Sequence, residues 1–105
     1  MENSFSLEIS EKAYEDLDGY SKYISENLSN PQAAKKFLRE TKELLNNICL
    51  FPYSCPLIAN ELIEENGVRK LVVNKFIVLY KAEDNKIKVI RVVHSTSNYQ
   101  DIIWI

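Results

Sequence analysis

Apolar and polar residues alternate at the start of the chain. Phe5, Leu7 and Ile9 are interleaved with Ser6 and Glu8 and flanked by Ser4 and Ser10. Neighbouring side chains of an extended strand point to opposite faces, so this period of two predicts a first β-strand. Ser10 suits a helix N-cap, and Glu11 suits the positive end of the helix that follows. Ala13, Leu17, Tyr20, Ile24 and Leu28 then recur every three or four residues, which places them on one stripe of a helix with Tyr14 and Tyr23 beside it. The run from Asn27 to Pro31 breaks that helix. Asn30 is a good N-cap for a second helix, and Pro31 a good first residue, because its missing N–H is not needed there. The second helix carries Ala34, Phe37, Leu38, Thr41, Leu44, Leu45 and Ile48, a stripe wide enough to pack on both the first helix and a sheet. The short break predicts an antiparallel helical hairpin, and Phe51-Pro52 closes the second helix.

Residues 53–66 show no clear period. They contain Pro56, and Leu57 to Leu62 fits a helical turn or an irregular strand, so the segment is predicted as a loop with a short turn. From Gly67 to His94 the pattern predicts a three-strand antiparallel meander. Val68 to Val73 is its first strand, and Asn74-Lys75 is a two-residue turn, since Asn tolerates positive φ. Phe76 to Tyr80 is apolar on both faces and predicts a central strand. Glu83-Asp84-Asn85 makes the next turn, and Ile87 to Val93 the last long strand. Strict alternation there puts Arg91 on one face with Val89 and Val93, and His94 on the other with Ile90 and Val92. Ser95 to Asn98 reads as a cap-rich turn, and Tyr99 to Ile105 as a short helix or a tail. The order is β-α-α-β-β-β, of the α+β class.

Composition narrows the function without choosing one. The 105 residues suit one domain, 1–105. A chain this long buries roughly two-thirds of the surface its unfolded form exposes, enough for a core without disulfides or metal. The formal charge is -2, from 13 basic and 15 acidic residues, which does not suggest a dedicated nucleic-acid binder. There is no apolar run near 18 residues, and the first residues lack a signal-peptide pattern, so the cytosol is the expected compartment. Cys49 and Cys55, with one His in the chain, make no zinc set. They are expected as a buried thiol and a loop thiol. Lys35, Lys36 and Arg39 read as the solvated face of the second helix, and Glu64-Glu65 and Glu83-Asp84 as solvated turn charges. No phosphate loop or catalytic triad can be argued, and no cofactor or metal is expected.

The order and spacing of several short motifs are more specific. Asn30-Pro31-x-Ala33-Ala34 opens the second helix, and Leu50-Phe51-Pro52 closes it. Gly67-x-Arg69-x-Leu71-Val72-Val73 and Phe76-Ile77-Val78-Leu79-Tyr80 follow, then Ile87-x-Val89-Ile90-Arg91-Val92-Val93-His94. Over about residues 5 to 94 this series resembles the RelE/ParE superfamily, the toxin halves of bacterial type II toxin–antitoxin pairs. The resemblance implies a helical hairpin packed on a mainly antiparallel four-stranded sheet. It also implies a cognate antitoxin of ParD or RelB type, with a homodimer or a toxin–antitoxin hetero-oligomer as the assembly and no membrane partner. RelE-like members cut messenger RNA on the ribosome, whereas ParE-like members bind DNA gyrase. RelE-like members typically place an Arg just after the aromatic residue of the central strand, and here that position is Ile77. They also carry a basic cluster and a Tyr after the last strand, whereas here Ser95-Thr96-Ser97-Asn98 precedes Tyr99. The ParE-like pattern favours Arg-Val-x-His at the end of the last strand, matched by Arg91-Val92-Val93-His94. The basic pair that commonly follows a small residue after that His is missing. The resemblance therefore points to a ParE-like gyrase inhibitor, with an RNA-cutting toxin or a non-toxic member that only binds its partner as the alternatives.

Candidate site residues follow from the same match. Arg69, Arg91, His94 and Tyr99 are the catalytic candidates if the chain is RelE-like, and Arg91, His94 and Tyr99 the target-binding candidates if it is ParE-like. Arg69 either pairs with a carboxylate near a strand end and orders the fold or faces a target. Arg91 is either paired structurally or presented in a concave site. His94 is either a hydrogen-bonded structural residue or a working one, and Tyr99 either serves a reactive site or covers the core edge. Ile102, Ile103 and Trp104 are unusually apolar for a chain end and are the antitoxin-contact candidates, against simple packing on the sheet.

Overall fold

The computed structural model describes residues 4–58 and 67–96. Strand β1 spans Ser6–Ile9 and helix α1 spans Glu11–Lys22. A π-helical turn, Tyr23–Asn27, continues α1, and helix α2 spans Pro31–Leu50. Strands β2 (Val68–Val73), β3 (Phe76–Glu83) and β4 (Lys86–His94) complete one four-stranded sheet of order β1-β4-β3-β2. The β2–β3 and β3–β4 pairs are antiparallel, as the meander predicts, while β1 lies parallel to β4. The sheet is therefore mixed. A β-α-α-β crossover carries the chain from one edge to the other before the meander returns, and that leaves β1 beside the last strand.

Local chemistry sets the boundaries. The Ser10 hydroxyl accepts a hydrogen bond from the Ala13 N–H at 3.0 Å, and the Asn30 side chain accepts from Ala33 at 3.1 Å, so both predicted N-caps close their helices. The helix break differs from the expected simple stop. The Leu28 N–H reaches the Tyr23 carbonyl at 3.2 Å, one residue further than in an α-turn, and Ser29 then takes a positive φ of 50°. Asn74 at φ 55° turns β2 into β3, and Asp84 and Asn85, both with positive φ, turn β3 into β4.

Two apolar layers sandwich the sheet. On the helix side, Ala13, Leu45 and Ile48 pack against Leu71, Val78, Tyr80, Ile87, Val89 and Val92. On the opposite side, Ile58, Val68, Ile77, Leu79 and Val93 form a second cluster with Ile90. β3 contributes to both, as expected for an interior strand apolar on both faces. The α2 stripe is narrower than predicted: Leu38 and Leu44 face solvent, while Cys49 joins the core. The two thiols are free, with Cys49 buried and Cys55 partly so. Part of the predicted 53–66 loop does pair with the sheet. Leu57 bridges Arg69, Ile58 N–H donates to Val68 and Lys70 N–H to Pro56, which covers the outer edge of early β2.

A β-bulge changes the expected facing of β4. Leu79 pairs with Arg91 but Tyr80 pairs with Val89, so Ile90 is the extra residue. Val89 and Val92 consequently share the helix side, and Ile90 and Val93 the other. The prediction that Val89 and Val93 share one face, and Ile90 and Val92 the other, is overturned for this reason. Strict alternation cannot anticipate an inserted residue.

Tyr80 is fully buried, and its hydroxyl donates to the Pro52 carbonyl at 3.1 Å. Burial, and Cys55 beside it, push its phenol above the ordinary value of 10.0. The unfolded chain therefore releases this proton first as pH rises. The stability tied to the neutral phenol is complete below about pH 10 and is lost above it. Melting temperature should fall from about pH 10 upward, and Tyr80→Phe should flatten that fall while lowering stability at neutral pH by about 1 kcal/mol. An identical alkaline slope in both proteins would refute the assignment.

Candidate functional site

β4 outruns its neighbour. β1 ends opposite Val89, so among the described residues the outward backbone from Ile90 to His94 has no strand beside it. Helix α1 supplies the missing partners. The Ser10 hydroxyl donates to the Ile90 carbonyl at 2.7 Å, and the Asp16 carboxylate accepts from the Val92 N–H at 2.9 Å. Asp16 also takes Arg91 in a two-pronged ion pair, Nε to Oδ2 at 2.8 Å and Nη2 to Oδ1 at 3.0 Å. Asp16 and Arg91 are 14% and 23% exposed at the side chain, so solvent screens the pair little. The carboxylate raises the Arg91 guanidinium above its usual range through that hydrogen bond.

Beyond this clamp lies a cleft of about 1230 Å³ between the helical hairpin and the end of the sheet. Phe76 is its aromatic centre. Tyr20 and Phe37 pack on it at ring distances of 4.6 and 4.8 Å, and His94 meets it edge-on at 5.5 Å. Tyr23, Ile24 and Leu28 from the π-turn region form an apolar lip, with Tyr23 and Leu28 more than half exposed. Glu15, Lys36, Glu40 and Lys75 supply charges of both signs. Asn74 donates to Glu40 at 3.1 Å and ties the β2–β3 turn to α2.

The His94 ring has a defined orientation. Thr96 fixes it: its hydroxyl lies 2.8 Å from Nδ1, and its N–H approaches the same nitrogen at 3.3 Å. Burial, then the Asp16 charge, push the Tyr20 phenol up, so Tyr20 is a neutral hydrogen-bonding and stacking group at physiological pH. Among the described residues no cluster of metal-ligating side chains gathers. The cleft is thus an apolar, aromatic-floored surface with mixed charge at its rim.

The sequence-predicted residues divide clearly. His94 lines the cleft, and Arg91 stands behind it, held by Asp16. Arg69 belongs to a different place. Its guanidinium donates to the Cys55 carbonyl at 2.6 Å and lies over the Tyr53 ring at 5.2 Å. Among the described residues it orders the α2–β2 connection through a carbonyl and a ring, and no described carboxylate pairs with it. Tyr99, Ile102, Ile103 and Trp104 lie outside the described residues. Asp16, Tyr20, Phe37 and Phe76 were not singled out from sequence as site residues. A signal for Asp16 exists: it falls three residues after Ala13 and four before Tyr20, an acid on the buried stripe of α1.

A family model described as the ParE toxin of the type II toxin–antitoxin system parDE matches residues 7–99. The chain belongs to the ParE toxin family. Solved structures agree on the fold of this ParE-family chain. The chromosomal ParDE TA system from P. aeruginosa superposes with a TM-score of 0.71 at 21% identity, covering 89% of this chain and 98% of that one. The RelBE2 toxin–antitoxin complex from Mycobacterium tuberculosis superposes with a TM-score of 0.56 at 15% identity, covering 87% and 98%. No curated protein matches the sequence. No helix among the described residues is long and apolar enough to cross a membrane.

Asp16→Ala leaves a partly buried guanidinium and the Val92 N–H without partners, so it should cost about 3 kcal/mol in urea denaturation. A double-mutant cycle with Arg91→Ala should show coupling above about 1 kcal/mol. Additive losses would mean that the pair is incidental.

Proposed function

We propose that this ParE-family chain is the toxin half of a type II toxin–antitoxin module and acts by binding DNA gyrase rather than by cutting messenger RNA. A cognate antitoxin neutralises it by covering the cleft, and toxin, antitoxin and target meet in the cytosol.

The observation that carries the choice is the Asp16–Arg91 pair. Cutting an RNA chain needs cations where phosphate charge develops and a group to move the 2′-hydroxyl proton. Arg91 is the cation of the family-matching segment, and its charge and both donor prongs are already met by Asp16. Ile77, at the central-strand position where RelE-like toxins carry Arg, is 6% exposed in the core. It lies in the cluster on the sheet face away from the helices. The rim charges of the cleft are of both signs, which does not make the one-signed basic channel that a phosphate backbone selects. His94 and the apolar lip are suited to a protein surface instead.

Purified protein should inhibit plasmid supercoiling by gyrase and leave ribosome-bound mRNA intact. His94→Ala should reduce that inhibition about tenfold or more, which corresponds to about 1.4 kcal/mol of binding. Cleavage of ribosome-bound mRNA that disappears in Arg91→Ala would establish the RNA-cutting reading in its place. Neither effect, with tight antitoxin binding retained, would mark a member that only binds its partner.

A further inference from the structure

A second apolar surface lies at the other end of α2 from the cleft. Leu50, Phe51 and Tyr53 are 60%, 59% and 62% exposed, and Leu57, which bridges Arg69, is exposed too. The stretch from Leu50 to Leu57 contains no charged residue. Its backbone is nonetheless tied down. The Phe51 N–H donates to the Asn47 carbonyl at 3.0 Å, and the Ser54 N–H and hydroxyl donate to the Phe51 carbonyl at 3.1 and 2.7 Å. The Pro52 carbonyl accepts from Tyr80, the Cys55 carbonyl from Arg69 and the Pro56 carbonyl from Lys70. The Tyr53 ring is held by the Phe5 ring, edge-on at 6.2 Å, and by the Arg69 guanidinium at 5.2 Å. The turn thus meets its polar needs inside the chain and sends apolar side chains outward. A held, uncharged, aromatic surface of this kind marks a protein contact.

We infer that this face is an interface between two copies of the chain, packed patch against patch across a twofold axis. Charge selects the occupant. The guanidinium that reaches the patch, that of Arg69, is already engaged by the Cys55 carbonyl and the Tyr53 ring. A charged partner surface would lose hydration there and gain no ion pair. The fitting surface is apolar, uncharged and aromatic, and the same patch on a second copy meets each requirement, as the self-complementary interfaces of homodimers do. Position favours a copy over the target. Phe51 lies roughly 20 Å along α2 from Phe37 of the cleft. An antitoxin over the cleft would leave a target contact here uncovered, whereas a contact between copies leaves both clefts open. Only that last comparison rests on the toxin–antitoxin reading above.

The test needs only the full chain. Sedimentation equilibrium at up to about 100 μM should give twice the 12.2 kDa mass of the chain. Phe51→Lys should weaken the dimer at least tenfold, because each copy then buries an unpaired ammonium group. The melting temperature of the dilute monomer should stay within about 4 °C of the wild type. Leu50→Lys should act in the same way, and it carries the test if Phe51→Lys does not fold. A wild-type chain that stays at 12.2 kDa throughout overturns the inference. A dimer of unchanged affinity in the folded lysine variant overturns it as well, and so does a failure of both variants to fold, which would give the patch a role within the chain. A monomeric wild type whose lysine variant loses gyrase inhibition would assign the patch to the target instead. Absence of gyrase inhibition in the wild type sinks the gyrase reading and leaves the dimer standing.

Discussion

β4 continues past the end of β1, and among the described residues its outward backbone there is met by a helix instead of a strand. Asp16 supplies that contact. One carboxylate accepts from Val92 N–H and from both prongs of Arg91, and so joins the helical layer to the last strand. The contact is mostly buried, where an unpaired backbone N–H or guanidinium is costly. Ser10 works from the other end of the gap, capping α1 and donating to Ile90 at once. The angle at which α1 lies on the sheet follows from these two residues. Every side chain that α1 sends toward the sheet inherits its position from them.

The cleft is the consequence. With the first turns of α1 pinned to β4, Tyr20 reaches Phe76. The π-turn then carries Tyr23, Ile24 and Leu28 along the open side instead of into the core. α2 closes the far wall by stacking Phe37 on the same ring and by binding the β2–β3 turn through Glu40. Arg91 and His94 match the family pattern together, yet they do different work. Arg91 holds the strand end in place, and His94 is presented beside Phe76. A close sequence match can therefore bundle a positioning residue with a surface residue, and only their partners tell them apart.

Much of the fold was legible in the chain. The caps at Ser10 and Asn30, the hairpin at Asn74, and an interior strand at Phe76 to Tyr80 all rest on local chemistry, which acts over a few residues. The facing of β4 was not legible, because Ile90 is inserted as a bulge and the alternation shifts at that point. Arg69 was expected to pair with a carboxylate. It pairs with the Cys55 carbonyl, a group every residue carries and no residue type announces. The candidate site was half legible: Arg91 and His94 came from the motif, whereas the aromatic floor came from residues that read equally well as core.

The sequence by itself determined the element order, both helix starts and the end of the second helix, the two-faced central strand and the superfamily resemblance. Those follow from periodicity and short-range hydrogen bonding. Tertiary structure decided that β1 pairs parallel with β4, that Arg91 belongs to Asp16, and that Phe51 and Tyr53 stay exposed. Each of these depends on which distant segments meet. The side-chain pattern of one segment records that it has a buried face, but not whose atoms cover it.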